Sequence, residues 1–267
     1  MTLPVTPSTT EIYYPDTDGL PVAESDFQLG PLIYVIDALR AYFQRRDDVY
    51  VAGDLFLYYE EGNPSAVVAP DVFVVLGAPN HLRSSYMLWR EPKAPDFVLE
   101  ITSQSTRTQD QGTKRERYAA LGVQEYFQYD PTRDYLEPPL QGFYLVSLVD
   151  NTYQPIPGTT SPEGTLVLRS HVLGLELRLE EETLRLYDPI TGQRLLSYQE
   201  AEQARQAAEE RARAAEARVA ELEARLRALQ ATPPSTPPAD AQSKRLPGAE
   251  HGLLCSARCS TRTPPAS

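Results

Sequence analysis

The stretch Asp96-Phe97-Val98-Leu99-Glu100-Ile101-Thr102-Ser103 decides how the chain is read. Side chains alternate across a strand, so Phe97, Leu99 and Ile101 share one face while Asp96, Val98, Glu100 and Thr102 share the other. Glu100 therefore sits mid-strand in an apolar run, where an unpaired carboxylate is costly to bury. One carboxylate holds a divalent cation poorly, so a second acid is sought. Asp96 shares the face of Glu100 but lies four residues away, roughly 13 Å at about 3.3 Å per residue, too far for one ion bound at about 2.1 Å. Asp71, which opens the preceding strand in VAPDVFVV, can stand beside Glu100 if the two strands pair, and these two are the candidate pair.

Downstream, RTQDQGTKRERYAALG (107–122) reads as a helix, with Ser105 or Thr106 available as N-cap and Gly122 as its stop. Gln111, Lys114, Tyr118 and Leu121 form one stripe at spacings of three, four and three, which carries Lys114 and Tyr118 toward the sheet. An ammonium there can orient or deprotonate an attacking water. It can equally pair with Asp110, four residues earlier, for a few tenths of a kcal/mol.

Upstream, Leu32, Ile33, Ile36, Leu39 and Phe43 recur at helical spacing, predicting a helix over about 28–46 in which Pro31 is tolerable only near the first turn. The runs at 49–61, 67–77, 96–103, 123–131 and 142–150 are rich in Val, Phe, Tyr and Leu and read as strands. Helix, three strands, helix, then strands predicts an α/β domain with a central sheet flanked by helices. Short strands and glycine-punctuated turns over 152–196 extend it. The expected organisation is a flexible lead-in over 1–20, the α/β domain over 21–197, a helix over 198–230 and a disordered Pro/Ser/Thr-rich tail over 231–267.

Within 198–230, Ala208, Ala212, Ala215, Val219, Leu222, Leu226 and Leu229 alternate spacings of four and three, the seam of a coiled coil and hence of a homodimer. A single solvated helix laced with charge pairs fits the same pattern.

Composition narrows the chemistry. Both cysteines, Cys255 and Cys259, fall in the tail, and His81, His171 and His251 are scattered, which excludes a zinc finger or a disulfide scaffold. Any metal must be held by carboxylates, which suits a hard ion such as Mg2+ or Mn2+. No apolar run approaches the roughly 18 residues of a membrane span, and the start lacks the charged and apolar regions of a signal peptide, so a cytoplasmic, membrane-free protein is expected. Residues 1–197 hold 28 acidic and 15 basic residues, a net of −13 that repels bulk nucleic acid. Seven of those bases (Arg83, Arg90, Lys93, Arg107, Lys114, Arg115, Arg117) nevertheless fall between 83 and 117, against five acids.

Taken together, Pro70-Asp71, Glu100-Ile101-Thr102-Ser103-Gln104-Ser105, Asp110 to Lys114 to Tyr118, and Gly122-Val123-Gln124-Glu125-Tyr126 before Asp130-Pro131 resemble the Uma-two family, in the PD-(D/E)XK nuclease superfamily. The resemblance covers about 20–196. It implies a restriction endonuclease-like core with a mixed sheet, in which Asp71 and Glu100 hold Mg2+ (or Mn2+) and the main-chain carbonyl of Ile101 or Thr102 adds a ligand. The superfamily's usual lysine, two residues after the glutamate, is replaced here by Thr102, and Lys114 would supply it from the helix. Relatives often carry a His near Gln28. Gln28, Asp110 and Tyr118 are accessory candidates.

The function implied is a metal-dependent endonuclease hydrolysing DNA phosphodiester bonds. RNA or branched DNA would share that chemistry. The competing reading is a catalytically inactive module that keeps the fold and dimerises or binds a partner. A buried Lys114–Glu100 ion pair that leaves no room for an ion would favour it.

Overall fold

The structure, a computed structural model, describes residues 12–16, 25–103, 106, 108, 110–161 and 164–231. Ser105 as a cap, Arg107, the side chain of Gln111, the tail beyond 231 with both cysteines, and most of the 1–20 lead-in lie outside them. The chain divides into two units, the second starting at Ala212.

In chain order the elements are α1 (Asp26–Tyr42), β1 (Val49–Gly53), β2 (Leu57–Tyr58), β3 (Val67–Val68), β4 (Val72–Leu76), β5 (Tyr86–Met87) and β6 (Phe97–Ile101). A π-helical turn (Asp110–Lys114) then runs directly into α2 (Arg115–Ala120). There follow β7 (Glu125–Tyr129), β8 (Leu140–Ser147), β9 (Thr152–Pro155), β10 (Thr159–Thr160), β11 (Leu166–Ser170), β12 (Leu175–Glu180), β13 (Thr183–Tyr187) and α3 (Tyr198–Ala231).

The central sheet has the order β1-β4-β6-β7-β8-β9. Its pairs are antiparallel except β6 with β7, which are parallel and joined by the crossover through the π turn and α2, so the sheet is mixed as expected. One face carries Val72, Val74, Phe97, Leu99 and Phe127 and packs against α1 and against the antiparallel sheet β10-β11-β12-β13. The opposite face carries Phe73, Val75, Val98 and Tyr126 and is covered by Tyr118 of α2. The alternation read from residues 96–102 is thus the division of the core, and β6 is buried along its whole length.

Two long predicted strands are each broken in two, for local reasons. At Gly53 a side chain would meet Ile36 Cδ1 at 2.2 Å and the Asp71 carbonyl at 2.7 Å, and Asp54 follows at φ 48°. Here β1 ends and the chain turns out to β2. The 67–77 run breaks at Pro70, which has no N–H to give a ladder. β3 pairs with β2 in a small separate sheet, and β4 pairs with β1 and β6.

Helix α1 begins earlier than predicted, at Asp26, so Pro31 falls in the second turn. Ser25 precedes the first turn, and Gln28 Oε1 accepts hydrogen bonds from the Ser25 N–H (3.4 Å) and hydroxyl (3.3 Å). Within the lead-in, Tyr14 packs its ring on Tyr58 and Trp89, and its hydroxyl accepts from the Gly62 N–H (2.6 Å).

Asp130, at the end of β7, organises the next turn. Its Oδ1 accepts from the backbone N–H groups of Thr132 and Arg133 and from the Thr132 hydroxyl, and its Oδ2 from those of Tyr135 and Leu136. Burial pushes its pKa up, but these donors outweigh it and hold the carboxyl below the usual aspartate range. A depressed folded-state pKa gives stability that is present above the unfolded pKa and lost as pH falls through the folded one. Asp130→Ala is expected to cost about 3 kcal/mol at pH 7, since several donors lose a charged acceptor. The difference from wild type should shrink on acidification below the aspartate range, which urea denaturation at both pH values measures.

Candidate active site

The sheet brings Asp71 to Glu100. Val72 stands opposite Leu99, so Asp71 and Glu100 fall at the next position of the same antiparallel pair, and Asp71 Oδ2 accepts the Ile101 N–H at 2.5 Å. The Pro70 break is what leaves Asp71 at the strand end with some exposure to solvent, whereas Glu100 has none.

Above Glu100 the π turn and α2 deliver the predicted stripe. Lys114 Nζ donates to Glu100 Oε2 at 2.8 Å, and Tyr118 Oη donates to Oε1 at 2.6 Å. The Thr106 hydroxyl bonds with Ser103 Oγ (3.1 Å) and accepts the Ser103 N–H, while its carbonyl accepts the Asp110 N–H (2.9 Å); Gln109, whose N–H a Thr106 cap would bind, lies outside the described residues. Gly122, at φ 80°, stops the helix as read, with the Val123 N–H returning to the Tyr118 carbonyl. The wider π turn places Asp110 on the same ammonium, its Oδ1 3.2 Å from Lys114 Nζ, and such turns recur at functional sites.

Electrostatics follow from burial. Desolvation, then the Glu100 charge, pushes the Asp71 pKa well up. Glu100 is raised by desolvation, which Lys114 opposes. For Lys114 desolvation pulls downward, but the Glu100, Asp110 and Asp71 carboxylates outweigh it and hold the ammonium protonated. Tyr118 is lifted by burial and by Glu100, and it acts as a donor.

Four buried side-chain polar atoms among the described residues have no hydrogen-bond partner: Thr102 Oγ1, Asp110 Oδ1 and Oδ2, and Gln128 Nε2. All belong to residues around Glu100. Thr102 lies two positions along β6 on the same face, Gln128 stands opposite Glu100 on the parallel strand β7, and Asp110 shares the Lys114 ammonium. Buried polar groups are almost always satisfied, so their concentration at one place marks a spot built for something polar. Gln128 is the residue that sequence reading missed. Its signal was present, a polar side chain in step with Tyr126 in the otherwise apolar EYFQY, but no motif pointed to it.

Other readings divide. Asp96, just before β6, is no partner of Glu100, as its spacing indicated; it accepts from the Leu76 N–H (2.8 Å), Gln124 Nε2 (2.7 Å) and Lys93. Gln28 is engaged at the α1 cap with Ser25, on a helix that packs against the sheet face opposite Glu100. The basic run over 83–117 is partly tied up in ion pairs. Arg83 pairs with Glu91, Lys93 with Asp96 and Lys114 with Glu100. Arg117 is exposed, lies over the Tyr59 ring and, with Lys114, Thr113, Val67, Val68 and Ala69, lines a groove of ≈ 570 Å³. Solvent thus reaches Lys114.

The donors suit a hard cation only in part. Among the described residues no three His, Cys, Asp or Glu side chains are grouped to cage an ion. Asp71 and Glu100, with Thr102 Oγ1 and Asp110 Oδ2 as buried oxygens without a hydrogen-bond partner, fit an ion such as Mg2+, which keeps several waters of its own. Among the described residues no helix is long and apolar enough to cross a membrane.

Comparison with known proteins agrees with the motifs. The family described as "Uma2: Putative restriction endonuclease" matches residues 24–180. A crystal structure described as that of "a putative nuclease belonging to DUF820" from Anabaena variabilis ATCC 29413 is 12% identical, covering 54% of this chain and 75% of that one with a TM-score of 0.38. No curated protein sequence matches the chain. The family match runs from α1 through β12 and takes in Asp71, Glu100, Asp110, Lys114, Tyr118 and Gln128, more than half of the chain, so this protein belongs to the Uma2 family of restriction endonuclease-like proteins.

Proposed function

We propose that the protein is a divalent-metal-dependent endonuclease that hydrolyses phosphodiester bonds in DNA. The observation that carries this is the meeting of Asp71, Glu100 and Lys114 where, among the described residues, the buried side-chain atoms without a hydrogen-bond partner are gathered. Asp71, Glu100 and the main chain at Ile101 or Thr102 would hold Mg2+ or Mn2+. Bound there, the ion would supply Lewis-acid charge neutralisation at the scissile phosphate and a more acidic water.

The side chains have separable tasks. Tyr118 fixes one oxygen of Glu100 and leaves its carboxylate plane set. Lys114 is kept protonated by three acids, so it orients water and stabilises negative charge on the phosphoryl oxygens and does not act as the base. Gln128 Nε2, buried on the strand beside Glu100 without a hydrogen-bond partner, would steady a polar group bound there and does not itself reach the groove. Arg117, at the groove beside Lys114, offers a contact to the phosphate backbone, which the net charge of the domain otherwise disfavours.

A second reading, an inactive nuclease-fold module, is favoured by the Lys114–Glu100 ion pair at 2.8 Å, which occupies one carboxylate oxygen. The two separate on incubation with supercoiled plasmid and single-stranded DNA in Mg2+ or Mn2+ at low salt, beside EDTA and an Asp71→Ala/Glu100→Ala chain. Cleavage that needs metal and vanishes in the double variant is the expected result. Uncut DNA of both kinds, with no calorimetric heat of Mg2+ or Mn2+ binding, leaves the inactive module.

A further inference from the structure

Helix α3 runs for 34 residues without one buried residue. Val219, Leu222, Leu226 and Leu229 on it are between 49% and 68% exposed. A helix of this length draws most of its stability from packing an apolar face, and this face has no partner among the described residues of its own chain.

The charges beside the seam say which partner fits. With Ala212, Val219 and Leu226 as the first apolar position of each heptad and Ala208, Ala215, Leu222 and Leu229 as the second, the residues just before the first are Arg211, Arg218 and Arg225. Those just after the second are Glu209, Glu216, Glu223 and, at the end, Gln230. One flank of the seam is basic and the other acidic up to that last residue.

We propose that α3 pairs with α3 of a second copy of this chain as a parallel, in-register, two-stranded coiled coil. In that arrangement each flanking residue before the first apolar position meets the residue after the second in the next heptad of the other helix. Arg211 then faces Glu216 of the second copy and Arg218 faces its Glu223, on both sides of the seam. Antiparallel pairing sets arginine flank against arginine flank and glutamate flank against glutamate flank, which repels. A β-branched Val219 at the first position with Leu222 and Leu229 at the second favours two strands over three or four. The lone-helix pair of Arg218 with Glu221, at 2.7 Å and about two-thirds exposed on both sides, is weak enough to re-partner.

Sedimentation of the full chain tests this. The expected species at micromolar concentration has twice the 29.8 kDa chain mass. Arg211→Glu/Arg218→Glu should weaken self-association at least about tenfold, because four ion pairs become repulsive, and mixing with a Glu216→Lys/Glu223→Lys chain should restore a mixed dimer. Orientation is read from Ala208→Cys placed in a Cys255→Ser/Cys259→Ser chain, which should cross-link to a disulfide dimer on mild oxidation, since only parallel pairing sets position 208 against itself. A monomer at every concentration, a dimer indifferent to the charge reversal, or an Ala208→Cys chain that forms dimers but no cross-link would each overturn the proposal.

Discussion

Glu100→Gln is expected to reduce metal-dependent strand cleavage at least about 1,000-fold, equivalent to roughly 4 kcal/mol of lost transition-state stabilisation. The substitution keeps the volume of a side chain with no solvent exposure, and the amide oxygen can still accept from Tyr118. Lys114 keeps Asp110 at 3.2 Å. What disappears is one of the two charges proposed to hold the ion. Because Glu100 is, after desolvation, the strongest upward influence on the Asp71 pKa, its neutralisation also relieves repulsion in the metal-free protein. The amide NH2 then faces the Lys114 ammonium, which works against that relief, so thermal stability at pH 8 should fall by no more than about 2 kcal/mol while cleavage is lost. A Glu100→Gln chain that keeps more than a tenth of wild-type cleavage, or that loses it only by unfolding, would remove Glu100 from the site.

The uneven response of stability and activity at this position bears on what the sequence could convey. Alternation in 96–102 is a period of two imposed by the strand itself, so the division of the core between two faces of β6 was legible from one line of sequence. The Asp71–Glu100 pairing was legible because a carboxylate in an apolar run needs compensation, and few acids stood within reach. Where β1 and β4 end was not, since Gly53 is required by Ile36 and the Asp71 carbonyl approaching from other elements, and no local propensity records that approach. The π turn escaped for a related reason. A pattern of threes and fours cannot register one wider turn, yet that turn is where Asp110 comes to share the ammonium. Gln128 was hidden more deeply, because its meaning lies in the β6–β7 register, a contact across 28 residues. The crowding of bases over 83–117 conveyed less, for charges close in sequence do not fix where they point, and Arg83, Lys93 and Lys114 each pair with an acid.

Lys114 is where the two functional readings diverge most, and Lys114→Met is expected to produce the largest change in stability. Met preserves much of the stem and removes the charge from a side chain only 16% exposed, leaving Glu100, Asp110 and Asp71 without their common cation. Breaking a buried pair from one side costs about 3 kcal/mol or more, about 10 °C of melting temperature in a domain of this size. The sign with pH follows from the carboxylates. Asp71 and Glu100 have folded-state pKa values raised by desolvation, so their contribution to stability is fully present below the ordinary carboxylate range and is lost as pH rises through the folded values. Without Lys114, which opposes that rise in both groups, the folded values climb further. The loss should be large at pH 8 and small near pH 5. Millimolar Mn2+ should recover part of it at pH 8 if the acids hold an ion, since a ligand that binds only the folded chain stabilises it. Cleavage should fall about 100-fold, through loss of the oriented donor. Differential scanning fluorimetry over pH 5–8, with and without Mn2+, separates the cases. Destabilisation that is pH-dependent and unmoved by metal identifies a structural ion pair and an inactive site, and a melting temperature equal to wild type throughout refutes the buried cluster itself.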